Sequence, residues 1–299
     1  KSYLGPEGDT GFVDALKPYI FGKDAAMGGR LEGMQTPGGT GAVRLAVALS
    51  KAAGVQRVYL GTPSWPNHAQ ILEDVGIETG TFRHAAPDGT ADIDALLDVI
   101  ANARASDAVL LHGCCHNPTG VDYTPEQWDR IADALADSGV LPILDVAYHG
   151  LGLGLEEDVA GVRKVLAKVP EALVAYSCDK NFGLYRDRVG AFYMIAKSAD
   201  DLPAITSNAN ALARANWSMP PDHGGAAVRT VLRDDALTAT WLDELAEMRE
   251  RMRRVRERLA AADNDVPGLN LATLAHQNGL FAVLPLSKDQ IVSLSEDHG

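Results

Sequence analysis

Cysteine is scarce in this chain. Its 299 residues include three, Cys114, Cys115 and Cys178, too few for a disulfide framework. Sequence neighbours do not easily bridge to each other, so free thiols and a reducing, cytoplasmic setting are expected. Cys114-Cys115-His116 superficially suggests metal ligation. The second pair of ligands at zinc spacing is missing, so the three residues are read as a buried strand end and no metal is expected. Positive charge is also short: the net charge of -13 argues against nucleic acid as a partner, because a phosphate backbone needs a basic surface. A local basic site for a small anion stays allowed. No apolar run is long enough to span a membrane, and the first residues do not form a secretory leader. The chain does not begin with Met, so a leader can precede it. Internal repeats and low-complexity stretches are absent. Aromatic content is low at 6%, beside 46% hydrophobic residues, as in an ordinary α/β chain of one large or two modest domains.

What is present is an alternation of strand and helix patterns. After an opening loop, Lys1 to Asp9, the spacing of Phe12, Leu16 and Ile20 predicts an amphipathic helix. Gly38-Gly39-Thr40-Gly41 opens a second helix through Val43, Ala46 and Leu49. Its glycine spacing is not that of a dinucleotide fingerprint, yet a glycine turn at a helix start still presents free N–H groups to an anion. Strands are expected at Val55 to Leu60, Ile77 to Phe82, Ala108 to His112, Val140 to Val146, Ala172 to Tyr176 and Val189 to Ala196. Thr62 to Asn67 reads as a turn, and its Trp65 is either core or a flat platform for a ring. Helices are expected at Asp92 to Arg104, at Thr124 to Ala136 with Thr124 and Gln127 as a capping box, and at Glu157 to Val169. Near-continuous apolar strands alternating with helices imply a mainly parallel sheet covered on both faces. Open sheets of this kind bind ligands beyond the carboxyl ends of their strands.

After Ala196 the character changes. Helices are expected at Asp201 to Asn216, Gly224 to Arg233 and Ala236 to Ala262. The last carries the stripe Trp241, Leu245, Met248, Met252 and Val255, with its Arg- and Glu-rich face read as solvated. His276 to Leu286 reads as a strand and Lys288 to Glu296 as a short helix, together the start of a smaller α/β domain.

The chain is organised around Ser177-Cys178-Asp179-Lys180-Asn181-Phe182-Gly183-Leu184-Tyr185-Arg186-Asp187-Arg188. A lone lysine would be a solvated loop residue. Here Lys180 follows an apolar strand, where desolvation disfavours the ammonium and frees the amine as a nucleophile or base. Such amines form Schiff bases with carbonyl compounds, pyridoxal phosphate included. Ser177 and Arg188 flank it with a hydroxyl and a fixed cationic fork, the groups a phosphate monoester needs.

This stretch resembles the lysine segment of the class I aminotransferases, the aspartate and aromatic aminotransferase family. Three further blocks agree in order along the chain: Gln35-Thr36-Pro37-Gly38-Gly39-Thr40-Gly41-Ala42, Pro63-Ser64-Trp65-Pro66-Asn67-His68, and Cys114-Cys115-His116-Asn117-Pro118-Thr119-Gly120. The resemblance covers nearly the whole chain. It implies the fold type I architecture of pyridoxal-phosphate enzymes, with residues 1–210 forming most of a large cofactor-binding domain. Residues 211–299 would then be an interdomain helix and part of a small domain. Relative to the family pattern the chain lacks an N-terminal arm and the last part of the small domain, including the arginine that binds the substrate α-carboxylate.

By the same resemblance Lys180 is the Schiff-base lysine and later the general base or acid. Asp145 faces the pyridine nitrogen and keeps it protonated. Asn117 and Tyr148 hydrogen-bond the phenolic oxygen, and Trp65 stacks on the ring. Gly39, Thr40, Ser177 and Arg188 form the phosphate cup. Tyr3 reaches the phosphate in a neighbouring subunit, and Arg214 crosses to the distal carboxylate of a dicarboxylic substrate, so a homodimer is implied. Asn117 and Trp65 also face the substrate. His68 and His116 are expected to support these residues, with His68 orienting Asp145; His112, His149, His223 and His276 receive no role.

The activity implied is amino-group transfer between an aromatic or dicarboxylic amino acid and 2-oxoglutarate. Alternatives are a strict aspartate aminotransferase, another pyridoxal-phosphate reaction such as β-elimination or decarboxylation, and a non-catalytic cofactor-binding module. In the family pattern, aspartate-selective members tend to carry asparagine where Met219 stands. A flexible, apolar Met would suit a pocket that admits an aromatic ring.

Overall fold

Seven strands pair into a single sheet because most of them are short apolar runs that no water can reach on either face. The computed structural model describes residues 2–22, 27–262, 270–284 and 286–298. The strands are β1 (Leu31–Pro37), β2 (Arg57–Thr62), β3 (Glu78–Arg83), β4 (Ala108–His112), β5 (Leu141–Val146), β6 (Ala172–Ser177) and β7 (Val189–Ile195). Their order across the sheet is β1-β7-β6-β5-β4-β2-β3. β7 runs antiparallel to both neighbours, and the other pairings are parallel. β6 and β7 are buried at every residue, as expected of strands covered on both faces.

The helices are α1 (Thr10–Phe21), α2 (Gly38–Ala52), α3 (Pro66–Val75), α4 (Ile93–Asn102), α5 (Pro125–Ser138), α6 (Leu155–Asp158), α7 (Ala160–Lys168), α8 (Leu202–Trp217), α9 (Asp222–Arg233), α10 (Asp235–Ala260) and α11 (Lys288–His298). Two cores result, one on each face of the sheet. Phe12, Leu16 and Ile20 of α1 join Leu96, Ile131, Val162 and Trp241 in one. Leu45, Leu49, Leu72, Ala209 and Ala213 of α2, α3 and α8 form the other. The capping box opens α5 as expected: Thr124 N–H donates to Gln127 Oε1 at 2.9 Å and Gln127 N–H to Thr124 Oγ1 at 3.2 Å.

Four readings are corrected. β1 was not expected, because Leu31-Glu32-Gly33-Met34-Gln35-Thr36-Pro37 lacks alternation; its pairing with β7 makes it a strand. The turn from Thr62 to Asn67 passes directly into α3, with Pro66 at its first position. The segment from His276 to Leu286 is not a strand in its described residues: a one-turn helix covers Ala272–His276 and irregular backbone follows. No partner strand lies beside it among the described residues. Its backbone bonds elsewhere: the Asn278 and Gly279 carbonyls accept from Arg256, and Asn278 N–H donates to Gly120 O. The stripe of α10 is also shifted. Trp241 and Leu245 are buried, but Val255 is 51% exposed and Arg256 only 9%. Of the opening loop, Lys1 lies outside the described residues.

No helix among the described residues is long and apolar enough to cross a membrane.

Candidate active site

The parallel strands end along one edge, and the antiparallel β7 begins there. Register places Pro37 opposite Val189, Ser177 opposite Gly190, and His112 opposite Asp145. The chemistry-bearing residues that follow these ends therefore meet in one cleft of about 270 Å³, lined by Gly39, Thr40, Trp65, Asn117, Asp145, Tyr148, Lys180 and Arg188 among others. Larger hollows exist, including an apolar one of about 400 Å³ between Leu49, Leu141, Leu173 and Ile205. It lies away from these strand ends and holds none of the candidate residues.

One end of the cleft is built for an anion. α2 starts at Gly38 without a side-chain cap, so its first N–H groups are free. Gly190 brings β7 against this turn: a Cβ there would lie 2.4 Å from the Gly38 carbonyl carbon. Arg188 adopts φ 54°, which turns its guanidinium toward the same place. Asp179, buried just past the end of β6, anchors it: Arg188 Nη1 donates to Asp179 Oδ2 at 2.6 Å, and Val189 N–H donates to Asp179 Oδ1 at 3.1 Å. Ser177 is buried behind the turn, with its Cβ 2.8 Å from where a Cβ on Gly39 would stand.

The middle of the cleft is a slot with one carboxylate at its base. Asp145 is buried, and His68 Nε2 donates to its Oδ2 at 2.8 Å. A carboxylate only accepts, which places the proton on Nε2; Nδ1 then accepts the Ser64 hydroxyl at 3.0 Å. Behind His68, the rings of His112, His116 and His84 follow at 5.0, 4.3 and 3.5 Å. Burial holds His84 down to about 4 and His116 to about 2, and it puts His112 well below the ordinary value. These three imidazoles are therefore neutral, and add no cation beside Asp145.

Opposite, Asn117 Nδ2 donates to the Tyr148 hydroxyl at 3.1 Å. Burial raises the Tyr148 pKa to about 12, with the Asn117 bond acting the other way, so the phenol keeps its proton at neutral pH. Lys180 Nζ stands 4.9 Å from the Tyr148 ring centroid. Burial lowers the Lys180 pKa; Asp145 and Asp179 oppose that shift and Arg188 adds to it. The result is an amine displaced toward its neutral, proton-accepting form.

Two expected residues stand apart. Tyr3 is 91% exposed, and Arg214 is exposed on α8; neither lines the cleft of its own chain. Five lining residues had no role in the sequence reading: His112, Ala147, Asp179, Tyr185 and Phe281. His112 ends β4, and Asp145 opposite it ends the stretch of β5 that pairs with β4, a signal that was available. Asp179 sits beside Lys180 and opposite an arginine. Phe281 carried no local signal, since it arrives from a distant segment. Cys114 and Cys115 approach Asp158, but that carboxylate already accepts the N–H groups of Gly150, Gly152, Leu153 and Gly154. His116 turns away from them to the Thr119 hydroxyl. All three cysteines are free.

A family model described as aminotransferase class I and II matches residues 1–298. A tyrosine aminotransferase of Rhizobium meliloti (strain 1021) is 45% identical over 300 residues, covering 100% of this chain and 77% of that protein. An aspartate aminotransferase of Escherichia coli (strain K12) is 42% identical over 305 residues, with the same coverage of 100% and 77%. Among solved structures, an aromatic-amino-acid aminotransferase of Burkholderia pseudomallei covalently bound to pyridoxal phosphate superposes with a TM-score of 0.94 at 32% identity, covering 100% of this chain and 76% of that one.

Proposed function

The chain belongs to the class I and II aminotransferases, and we propose which of its residues carry that activity. It is an enzyme that moves an amino group between an aromatic or dicarboxylic amino acid and 2-oxoglutarate, with pyridoxal phosphate as cofactor. One observation supports the assignment of roles. Lys180, the Asp145–His68 pair and the Tyr148–Asn117 pair face one cleft whose end is formed by Arg188 and the uncapped start of α2.

The cleft fits the cofactor on its own chemistry. The absence of a Cβ on Gly38 leaves room for the Arg188 guanidinium, whose Nη2 would otherwise lie 2.4 Å from it, and Asp145 is a buried carboxylate that lines the cleft and accepts from His68. When bound, pyridoxal phosphate supplies a carbon that links to amines and a ring that draws electrons from the substrate α-carbon. Arg188, Ser177 and the N–H groups of Gly39 and Thr40 hold the phosphate. Asp145, fastened by His68, holds a proton on the ring nitrogen by opposite charge. Tyr148 and Asn117 would donate to the phenolic oxygen, and Trp65 would pack on the ring. Lys180 Nζ would hold the cofactor, and its neutral amine would serve as the base toward the substrate α-carbon proton.

Arg214 and Tyr3, exposed and outside their own cleft, serve the cleft of a second copy, so the working unit is a homodimer. The three free, buried cysteines support a cytoplasmic setting. Residues 1–210 form the large domain, supported by a sheet confined to Leu31–Ile195; residues 211–299 form the interdomain helix and part of a smaller domain. Met219 gives dual specificity by leaving an apolar wall for an aromatic ring, although its sulfur also accepts Leu4 N–H at 3.1 Å.

The test is glutamate formation from 2-oxoglutarate with either phenylalanine or aspartate as donor. Turnover of both supports dual specificity. A kcat/KM for phenylalanine more than about a thousandfold below that for aspartate, roughly 4 kcal/mol, makes the enzyme a strict aspartate aminotransferase. No glutamate from either donor sinks the assignment.

A further inference from the structure

Arg256 is a buried cation that makes no ion pair among the described residues. Its guanidinium donates instead to the carbonyl oxygens of Gly279 at 2.7 Å, Asn278 at 3.2 Å and Phe281, and to Gln277 Oε1 at 3.4 Å. A sunken charge needs such partners, and the planar five-donor fork of arginine can reach several carbonyls at once in a fixed geometry.

The same face of α10 holds two other loops of the cleft. Trp241 Nε1 donates to Asn181 O at 2.8 Å, and its ring stacks on Phe182 at 4.4 Å. Arg249 Nη1 donates to Gly150 O at 2.9 Å, just past Tyr148. Positions 241, 245, 249, 252 and 256 recur at helical spacing, so a single rigid rod touches the Lys180 loop, the Tyr148 loop and the segment carrying Phe281. That segment has a second anchor. Asn278 N–H donates to Gly120 O at 2.8 Å and Asn278 Nδ2 to Asp122 Oδ2 at 3.1 Å. Gly279 is pressed so closely to Cys115 that a Cβ would lie 2.5 Å from the Cys115 Cβ. Of this pinned segment, Phe281 is the residue that lines the cleft, and its ring meets Tyr148 edge-on at 6.0 Å.

We infer that Arg256 is a positioning residue for substrate specificity: by holding the carbonyls of Asn278, Gly279 and Phe281 to α10, it fixes Phe281 as a wall of the cleft and sets the size of side chain the cleft accepts. This rests on the aminotransferase reading of the cleft. Arg256 touches neither cofactor nor substrate; it acts through Phe281.

The experiment uses the cofactor-loaded enzyme with Arg256→Met, Arg256→Lys and Phe281→Ala. The ratio of kcat/KM for phenylalanine over that for aspartate should shift by roughly tenfold in Arg256→Met, carried mainly by KM. Phe281→Ala should shift the ratio in the same direction, and the double variant Arg256→Met/Phe281→Ala should add little further, because both act on one wall. Arg256→Lys, with a point charge in place of the fork, should also shift the ratio, and it carries the test if the Met variant does not fold. Independently of activity, hydrogen exchange at the Asn278 amide should quicken in the Arg256 variants while β6 stays protected. Equal losses for both substrates, parallel falls in kcat, or additive effects with Phe281→Ala would overturn the inference by making Arg256 merely structural. Failure of the underlying reading looks different: the unaltered enzyme would transfer no amino group at all.

Discussion

His68 Nε2 reaches Asp145 Oδ2 across 2.8 Å, and both side chains are buried. The pair joins α3 to the end of β5, and the Ser64 hydroxyl fixes the histidine from its other side. Asp145 cannot turn away from the cleft without leaving a buried imidazole N–H unpaired.

His68→Ala should therefore slow amino-group transfer. A hydrogen bond to a charged group contributes about 1.5–3 kcal/mol, so single-turnover rates with phenylalanine should fall about ten- to a hundredfold. His68→Gln keeps an N–H donor and should recover part of the loss. Rates unchanged in both variants would mean that Asp145 is oriented without His68. Asp145→Asn should cost more, since it removes the charge itself while leaving Arg188 and the α2 start to hold the phosphate.

Lys180→Ala should abolish multiple turnover yet leave a cofactor that is retained noncovalently. The anion end of the cleft is built from Arg188, Ser177 and α2, none of which depends on Lys180. Dialysis against buffer and a steady-state assay check the two halves separately. Turnover near that of the unaltered enzyme would refute the lysine assignment.

Arg188→Leu should weaken cofactor binding by roughly a hundredfold through loss of a charge-assisted contact. It also leaves the Asp179 carboxylate buried with only Val189 N–H. Because the arginine side chain is 41% exposed, the stability cost should be modest, about 1–2 kcal/mol. Arg188→Leu/Asp179→Leu should regain part of that stability in chemical denaturation without regaining cofactor affinity.

The buried histidines predict acid sensitivity. His84 is held down to about 4 by burial, the Val121 carbonyl bond opposing. Its unfolded value is near 6.5, so between those values the unfolded chain binds a proton that the folded chain does not. Stability is complete above about pH 6.5 and falls as the pH drops toward 4, by about 3 kcal/mol for this residue alone. His84→Phe should flatten that part of the curve, measured as denaturation midpoints at pH 7 and 4.5. A parallel curve in the variant would show that His84 does not set it.

Arg214→Leu should damage the aspartate reaction far more than the phenylalanine reaction, since only the former brings a distal carboxylate. The comparison of kcat/KM for the two donors reads this directly. Equal losses would exclude Arg214 as the carboxylate partner.

The sequence alone determined the lysine strand end, the glycine start of α2, the parallel α/β sheet and the capping box of Thr124 and Gln127, because each depends on residues close together in the chain. Periodicity and local hydrogen bonding are local properties, and they survive without knowledge of the fold. Tertiary structure decided the rest. β1 is a strand only because β7 lies beside it. Phe281 lines the cleft, and Arg256 rather than Val255 faces inward, because the phase of α10 against the lysine and Tyr148 loops selects which side chains are covered. Asp179 anchors Arg188 because β7 returns antiparallel to β6 and brings the two together at one edge. These contacts are chosen by packing between elements far apart in sequence, and spacing along the chain holds no record of that choice.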